Sequence, residues 1–153
     1  YDQRIEATNF ALNNDDGART RDYDRADIIL IGVSRSGKTP TCLYLALTYG
    51  VYAANYPLSE DELEAGTFPQ VLQNNHAKLY GLTIEPGRLQ KIRRERRSAG
   101  KYSTLQQVSF EIREAEALFE RRQIPYIDTT RSSIEELAST ILANTGVERR
   151  IRP

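Results

Sequence analysis

The 153-residue sequence contains no methionine, not even at position 1, and only one cysteine and one histidine. Without an initiating methionine the chain reads as a processed or truncated piece of something longer, and a segment outside it is expected to carry part of the site. Cys42 alone cannot form an internal disulfide, and nothing in the composition asks for an oxidising compartment, so the cytoplasm is the expected location. His76 stands in NNHAKLY with no neighbours at metal-ligand spacing and reads as a surface or structural residue. Excess charge of either sign is missing too, since 21 Lys and Arg balance 21 Asp and Glu. With no basic tail, this balance argues against a general nucleic-acid or membrane-surface binder, and any basic site must be local. No apolar run approaches the roughly 20 residues that a membrane-spanning helix needs, and no signal-peptide pattern opens the chain. Internal repeats and low-complexity segments are absent as well.

What is present fits one domain, long enough to bury roughly two-thirds of its unfolded surface. Residues 1–26 read as a connector to a missing N-terminal domain, with a short element of undetermined type near 5–12 and a turn at NNDDG, where Asn and Asp bond their own backbone and Gly17 supplies positive φ. Residues 27–153 form the main domain. ADIILIG holds four consecutive apolar residues, 28–31, three of them β-branched, as in a strand buried on both faces. A helix over 41–49 follows, with Leu43, Ala46 and Leu47 available to face a sheet and Gly50 as its stop. VYAANYP then reads as a second strand, which makes a βαβ unit and a parallel, right-handed pair. Downstream come a short helix capped by Ser59, a strand in AKLYGLTIEP, a basic helix in PGRLQKIRRERR with a flexible polar break at 98–103, and a helix over 105–122. Val108, Ile112, Ala115 and Phe119 recur there at helical spacing and form its core face. The chain closes with a strand in IPYIDTT and a helix with a Ser133–Glu136 capping box and Gly146 as its stop. This alternation predicts an α/β fold, a P-loop NTPase-like three-layer sandwich with a mainly parallel sheet.

Between the first strand and its helix, Gly32, Gly37, Lys38 and Thr39 satisfy G-x-x-x-x-G-K-[ST], a string that occurs by chance in about one in two hundred chains of this length. The glycines let successive backbone N–H groups turn inward onto phosphate oxygens, where the helix dipole adds positive potential. Gly32, Val33, Ser34, Arg35, Ser36, Gly37, Lys38 and Thr39 are the expected phosphate cradle, with Lys38 as the point charge on the terminal phosphates and Thr39 offering its hydroxyl to Mg²⁺. Pro40 is no obstacle, because the first helical turn has no intrahelical use for its N–H. A strand-to-helix turn with no ligand is the bland alternative. The D-x-x-G and N-K-x-D strings of a GTPase do not occur, which favours a kinase-like use of the loop.

Asp15 and Asp16 are candidates for taking a hydroxyl proton or holding Mg²⁺, although a turn alone accounts for them. Asp128, ending an apolar strand, is a candidate Walker B acid for Mg²⁺ or a carboxylate approaching the next helix start. Arg93, Arg96 and Arg97 share one helix face, flanked by Lys91 and Arg94, and either reach phosphates as SAGKYST closes like a lid or form a solvated face. Arg35, inside the loop, is better placed to touch a nucleotide or target. Cys42 reads as a packing residue.

ADIILIGVSRSGKTPTCLYLALTYGVYAANYPL, KLYGLTIEPGRLQKIRRERR and IPYIDTTRSSIEELASTIL together resemble the phosphoenolpyruvate synthase regulatory proteins, sister to the pyruvate, phosphate dikinase regulatory proteins, over nearly the whole chain. The resemblance implies a bifunctional regulator. ADP would phosphorylate a threonine of phosphoenolpyruvate synthase and inactivate it, and inorganic phosphate would remove that group as pyrophosphate. It also implies a further N-terminal domain, and Tyr56 in AANYPL favours the synthase branch over the dikinase branch. Asn14 departs from the histidine common at this position, which weakens any role for a base there. A homo-oligomer is left open. A small-metabolite P-loop kinase and a nucleotide-sensing module without chemistry are the competing readings.

Overall fold

The computed structural model describes residues 2–96 and 100–150. Seven α-helices and four strands are found among them, besides four short 3-10 turns: α1 (Asp2–Asn13), β1 (Ile28–Gly32), α2 (Lys38–Tyr49), β2 (Ala53–Pro57), α3 (Glu60–Ala65), α4 (Gln70–Asn74), β3 (Leu79–Thr83), α5 (Pro86–Arg96), α6 (Leu105–Arg121), β4 (Tyr126–Asp128) and α7 (Ile134–Thr145). The strands form one all-parallel sheet in the order β2-β1-β3-β4. β1 is thus central, and the chain leaves it first towards β2 and later towards β3. The glycine loop after β1 stands at this reversal, on the C-terminal edge of the sheet, where open α/β sheets place their ligands.

The pleat explains why 28–31 are apolar without a break. Ile29 and Ile31 face one side, into a core built with Leu89 of α5 and Val108, Ile112, Ala115 and Phe119 of α6. Ile28 and Leu30 face the other, against Cys42, Leu45 and Tyr49 of α2 and Ala138, Ile141 and Leu142 of α7. Three layers result; the Ser59 cap and the Ser133–Glu136 capping box start their helices as expected, and Glu62 completes a further box at Ser59.

The inward face of α2 differs from the expected one. Leu45 and Cys42 face the sheet, while Leu43 and Ala46 pack against Ala7 and Ala11 of α1, and Leu47 is 49% exposed. The physical reason is α1, which gives α2 a second apolar neighbour that the spacing within α2 does not reveal. Residues 2–26 also reach the core through Phe10, whose ring lies 5.0 Å from that of Tyr52, and through the fully buried Tyr23. α4, following Pro69, is a helix that the sequence pattern did not announce.

Candidate active site

The glycine loop is held from several sides. Gly32 has no room for a side chain, because a Cβ would lie 2.8 Å from the Leu82 carbonyl oxygen of β3 and 2.9 Å from Ser36 Oγ. Arg35 and Gly37 take positive φ, 70° and 100°, and turn the chain into α2. Ser36 Oγ donates to the Val33 carbonyl at 2.8 Å, and Lys38 Nζ donates to the same oxygen at 2.7 Å. Lys38 is 4% exposed, and its burial lowers its pKa from the ordinary 10.5 to about 8, against the opposing pull of the Asp16 and Asp15 carboxylates. Pro40 lies in the first turn of α2, where its missing N–H leaves no bond unmade.

The NNDDG turn closes over this loop. Thr39 Oγ1 donates to Asp15 Oδ1 at 2.6 Å, and Asn55 Nδ2 of β2 donates to the same oxygen at 2.8 Å. Asn55 Oδ1 in turn accepts the Asp16 N–H at 2.9 Å, which holds Asp16 at a φ of 51°. Asn14 is buried, and its amide donates to the Phe10 carbonyl while its Oδ1 has no partner among the described residues. A cleft of about 800 Å³ opens between turn and loop, lined by Asp15, Asp16, Ser34, Arg35, Gly37, Lys38 and Thr39, with Pro40, Leu43 and Pro57 supplying apolar wall and Ile92 and Arg96 completing it. Its size suits a small organic phosphate.

Sequence and structure part company at three points. Asp128 is not brought to Thr39: it sits two strands away at the end of β4, accepts from the Thr130 N–H at 2.8 Å, and lines a separate hollow with Glu85 and Glu116. The arginine stripe divides, since Arg93 is fully buried and Arg96 lines the cleft, while Arg97 lies outside the described residues. Of the expected break at 98–103, residues 101–103 form a turn packed on the loop, with Tyr102 Oη 2.6 Å from Ser34 Oγ. Residues 98 and 99 lie outside the described residues.

His76 is exposed with a ring nitrogen 2.6 Å from the Arg122 carbonyl, and buried Cys42 has its thiol pushed up to about 12 by burial, so both behave structurally. Two residues of the site were not singled out. Asn55 could have been noticed as an amide inside an otherwise apolar strand, because a buried amide needs partners. Tyr102 carried no signal.

Among the described residues no cluster of three or more His, Cys, Asp or Glu could hold a metal unaided. Thr39 Oγ1 and Asp15 Oδ1 are nevertheless an adjacent hydroxyl and carboxylate, the partial donor set that Mg²⁺ takes when phosphate oxygens and waters complete its shell. Among the described residues, no helix is long and apolar enough to cross a membrane.

Comparison with known proteins identifies close relatives. A protein named "Putative phosphoenolpyruvate synthase regulatory protein" from Pseudomonas putida is 57% identical over 152 residues, covering 99% of this chain and 56% of its own length. Its namesake from Marinobacter nauticus is 58% identical over 149 residues, covering 97% of this chain and 55% of its own, and that from Stutzerimonas stutzeri is 56% identical over 152 residues, covering 99% and 56%. The chain therefore spans about half the length of the curated relatives it matches. The model of the kinase/pyrophosphorylase family matches residues 1–142, nearly all of the chain, and with relatives this similar the chain belongs to that family.

Proposed function

We propose that this chain carries the nucleotide site of a bifunctional regulator of phosphoenolpyruvate synthase, an ADP-dependent protein-threonine kinase and a phosphate-dependent, pyrophosphate-forming phosphorylase. The observation that carries the reading is the meeting of two carboxylates, Asp15 and Asp16, with Lys38 and Thr39 across one cleft. A kinase needs these parts together: a cation and inward N–H groups for the transferring phosphoryl, and a carboxylate for the proton of the attacking hydroxyl. The names of the relatives supply the target.

In the forward direction the loop amides and Lys38 hold the β-phosphoryl of ADP. The threonine oxygen of the target attacks that phosphorus, the bond to the α-phosphate oxygen breaks, and AMP leaves. Asp16 takes the threonine proton, because one oxygen of Asp15 is already engaged by Thr39 and Asn55, whereas the Asp16 carboxylate has no hydrogen-bond partner among the described residues. In reverse, inorganic phosphate in the same cradle attacks the phosphothreonine, and pyrophosphate and free threonine result. Thr39 and Asp15 would hold Mg²⁺, which neutralises charge on the phosphate oxygens when bound. Use of ADP and phosphate as substrates supports a cytoplasmic location as part of this proposal.

Incubation of the full-length protein with β-labelled ADP and phosphoenolpyruvate synthase tests this. The expected result is label on a threonine of the synthase with release of AMP, and loss of the label as pyrophosphate when phosphate is added. Label on pyruvate, phosphate dikinase alone would move the target, label on a small metabolite would make this a metabolite kinase, and binding without transfer would make it a sensor. Each of these overturns the proposal.

A further inference from the structure

Arg93 reaches the glycine loop from below, from α5, with no part of its side chain exposed. Nε and Nη2 donate to the Ser34 carbonyl at 3.4 and 3.1 Å, Nη1 donates to the Tyr102 carbonyl at 2.9 Å, and Nη2 and Nη1 donate to Glu111 Oε1 and Oε2 at 2.8 and 3.3 Å. These five contacts match the five N–H donors of a guanidinium, so Arg93 has none left for a ligand. Gln107 Nε2 steadies Glu111 Oε2 at 2.9 Å, and the guanidinium lies 4.2 Å from the centre of the Tyr102 ring, whose hydroxyl meets Ser34 Oγ. A buried ion pair is a poor way to add stability, since desolvation offsets its attraction. What it adds is direction.

We infer that Arg93 is a positioning residue for the phosphate cradle, acting through the Ser34 carbonyl. The peptide unit is planar and trans, so its N–H points opposite to its C=O. Tying the Ser34 oxygen to a buried fork aims the Arg35 N–H away from Arg93, on the side of the cleft that Ser34 and Arg35 line, and holds Arg35 in its left-handed conformation. Glu111, Gln107 and Tyr102 hold the fork itself. Lysine cannot substitute, because a single ammonium cannot span the Ser34 and Tyr102 carbonyls and both Glu111 oxygens in that planar pattern. The inference rests on the reading of the loop as a phosphate site.

The test is calorimetric binding of ADP and of adenosine, which brings no phosphate to the loop, to the full-length wild type and Arg93→Lys. Arg93→Lys keeps a cation beside Glu111 and is expected to fold. Its affinity for ADP should fall about tenfold, the worth of one contact to a charged phosphate, while adenosine binding moves less than about twofold. The ¹⁵N-¹H resonance of Arg35, shifted by ADP in the wild type, should no longer respond. Arg93→Met/Glu111→Leu, which replaces the pair by apolar groups, should give the same loss of preference while folded, and covers the case in which Arg93→Lys is unstable. A folded variant that keeps the wild-type preference for ADP, with the Arg35 response intact, overturns the positioning role. A wild type that does not prefer ADP to adenosine overturns the phosphate reading itself, and the inference with it.

Discussion

Replacing Lys38 by methionine should stabilise the protein while abolishing phosphoryl transfer, and the two effects can be worked from the same side chain. Lys38 is almost wholly buried, and its pKa falls from 10.5 to about 8. A lysine whose folded pKa lies below its unfolded value opposes folding wherever it must be charged. Between pH 8 and 10.5 the unfolded chain binds more protons, so the wild type gains stability as pH rises through that window. The opposing contribution is on the order of 3 kcal/mol at pH 7 and fades towards zero as pH rises to 10.5. Methionine has a similar stem and no charge, and the Val33 carbonyl that Lys38 leaves still accepts from Ser36 Oγ at 2.8 Å. Urea unfolding of both proteins at pH 7, 9 and 10 measures the difference, with equal slopes required for the comparison. Lys38→Met should be the more stable at pH 7, and its advantage should close as pH rises. A variant less stable at pH 7, or a difference independent of pH, would refute the burial argument; undiminished transfer would refute the role of the ammonium.

Gly32→Ala should lower stability by about 1–3 kcal/mol, because its Cβ would stand 2.8 Å from backbone of β3 and 2.9 Å from Ser36 Oγ, and β1 and β3 must part to admit it; an unchanged urea midpoint would show that the sheet yields more easily. Asp16→Asn preserves the shape of the turn and removes the proposed proton acceptor, so the transfer rate should fall by about 10²–10⁴ with ADP affinity within about twofold of the wild type. If steady-state kinetics and calorimetry instead show an equal loss of affinity and rate, Asp16 binds nucleotide and does not move the proton.

The layers of this fold were legible because their signals are local. An apolar run with polar ends, glycines at fixed spacing and two Ser-x-x-Glu boxes each report on their own few residues, and the observed β1, α2, α3 and α7 follow from them. The site is half legible for the same reason. Residues 32–39 announce themselves, but the partner of Thr39 is 24 positions upstream, and the amide that fixes that partner is 40 positions from it. No periodicity connects such residues; only the return of the chain beside β2 does. Asp128 misled because a carboxylate ending a strand looks alike in any strand, and the strand order, which puts β4 beyond β3, is not written in the strand itself.

The arginine stripe raises a different point, since helical spacing places Arg93 and Arg96 one turn apart on α5 and yet their fates differ. The distinction lies in the count of donors. Arg93 meets an acceptor with each of its five N–H groups, and its charge is matched by Glu111, so it can be withdrawn from water entirely. Lys38 is buried nearly as deeply, yet among the described residues the only hydrogen bond its three donors make is the one to the Val33 carbonyl. A buried ammonium left with unused donors is costly, and it is tolerated where an anion completes it. Two cations beneath one loop thereby differ in their chemistry: the saturated one suits the backbone-positioning role inferred for Arg93, and the unsaturated one the phosphate-binding role proposed for Lys38.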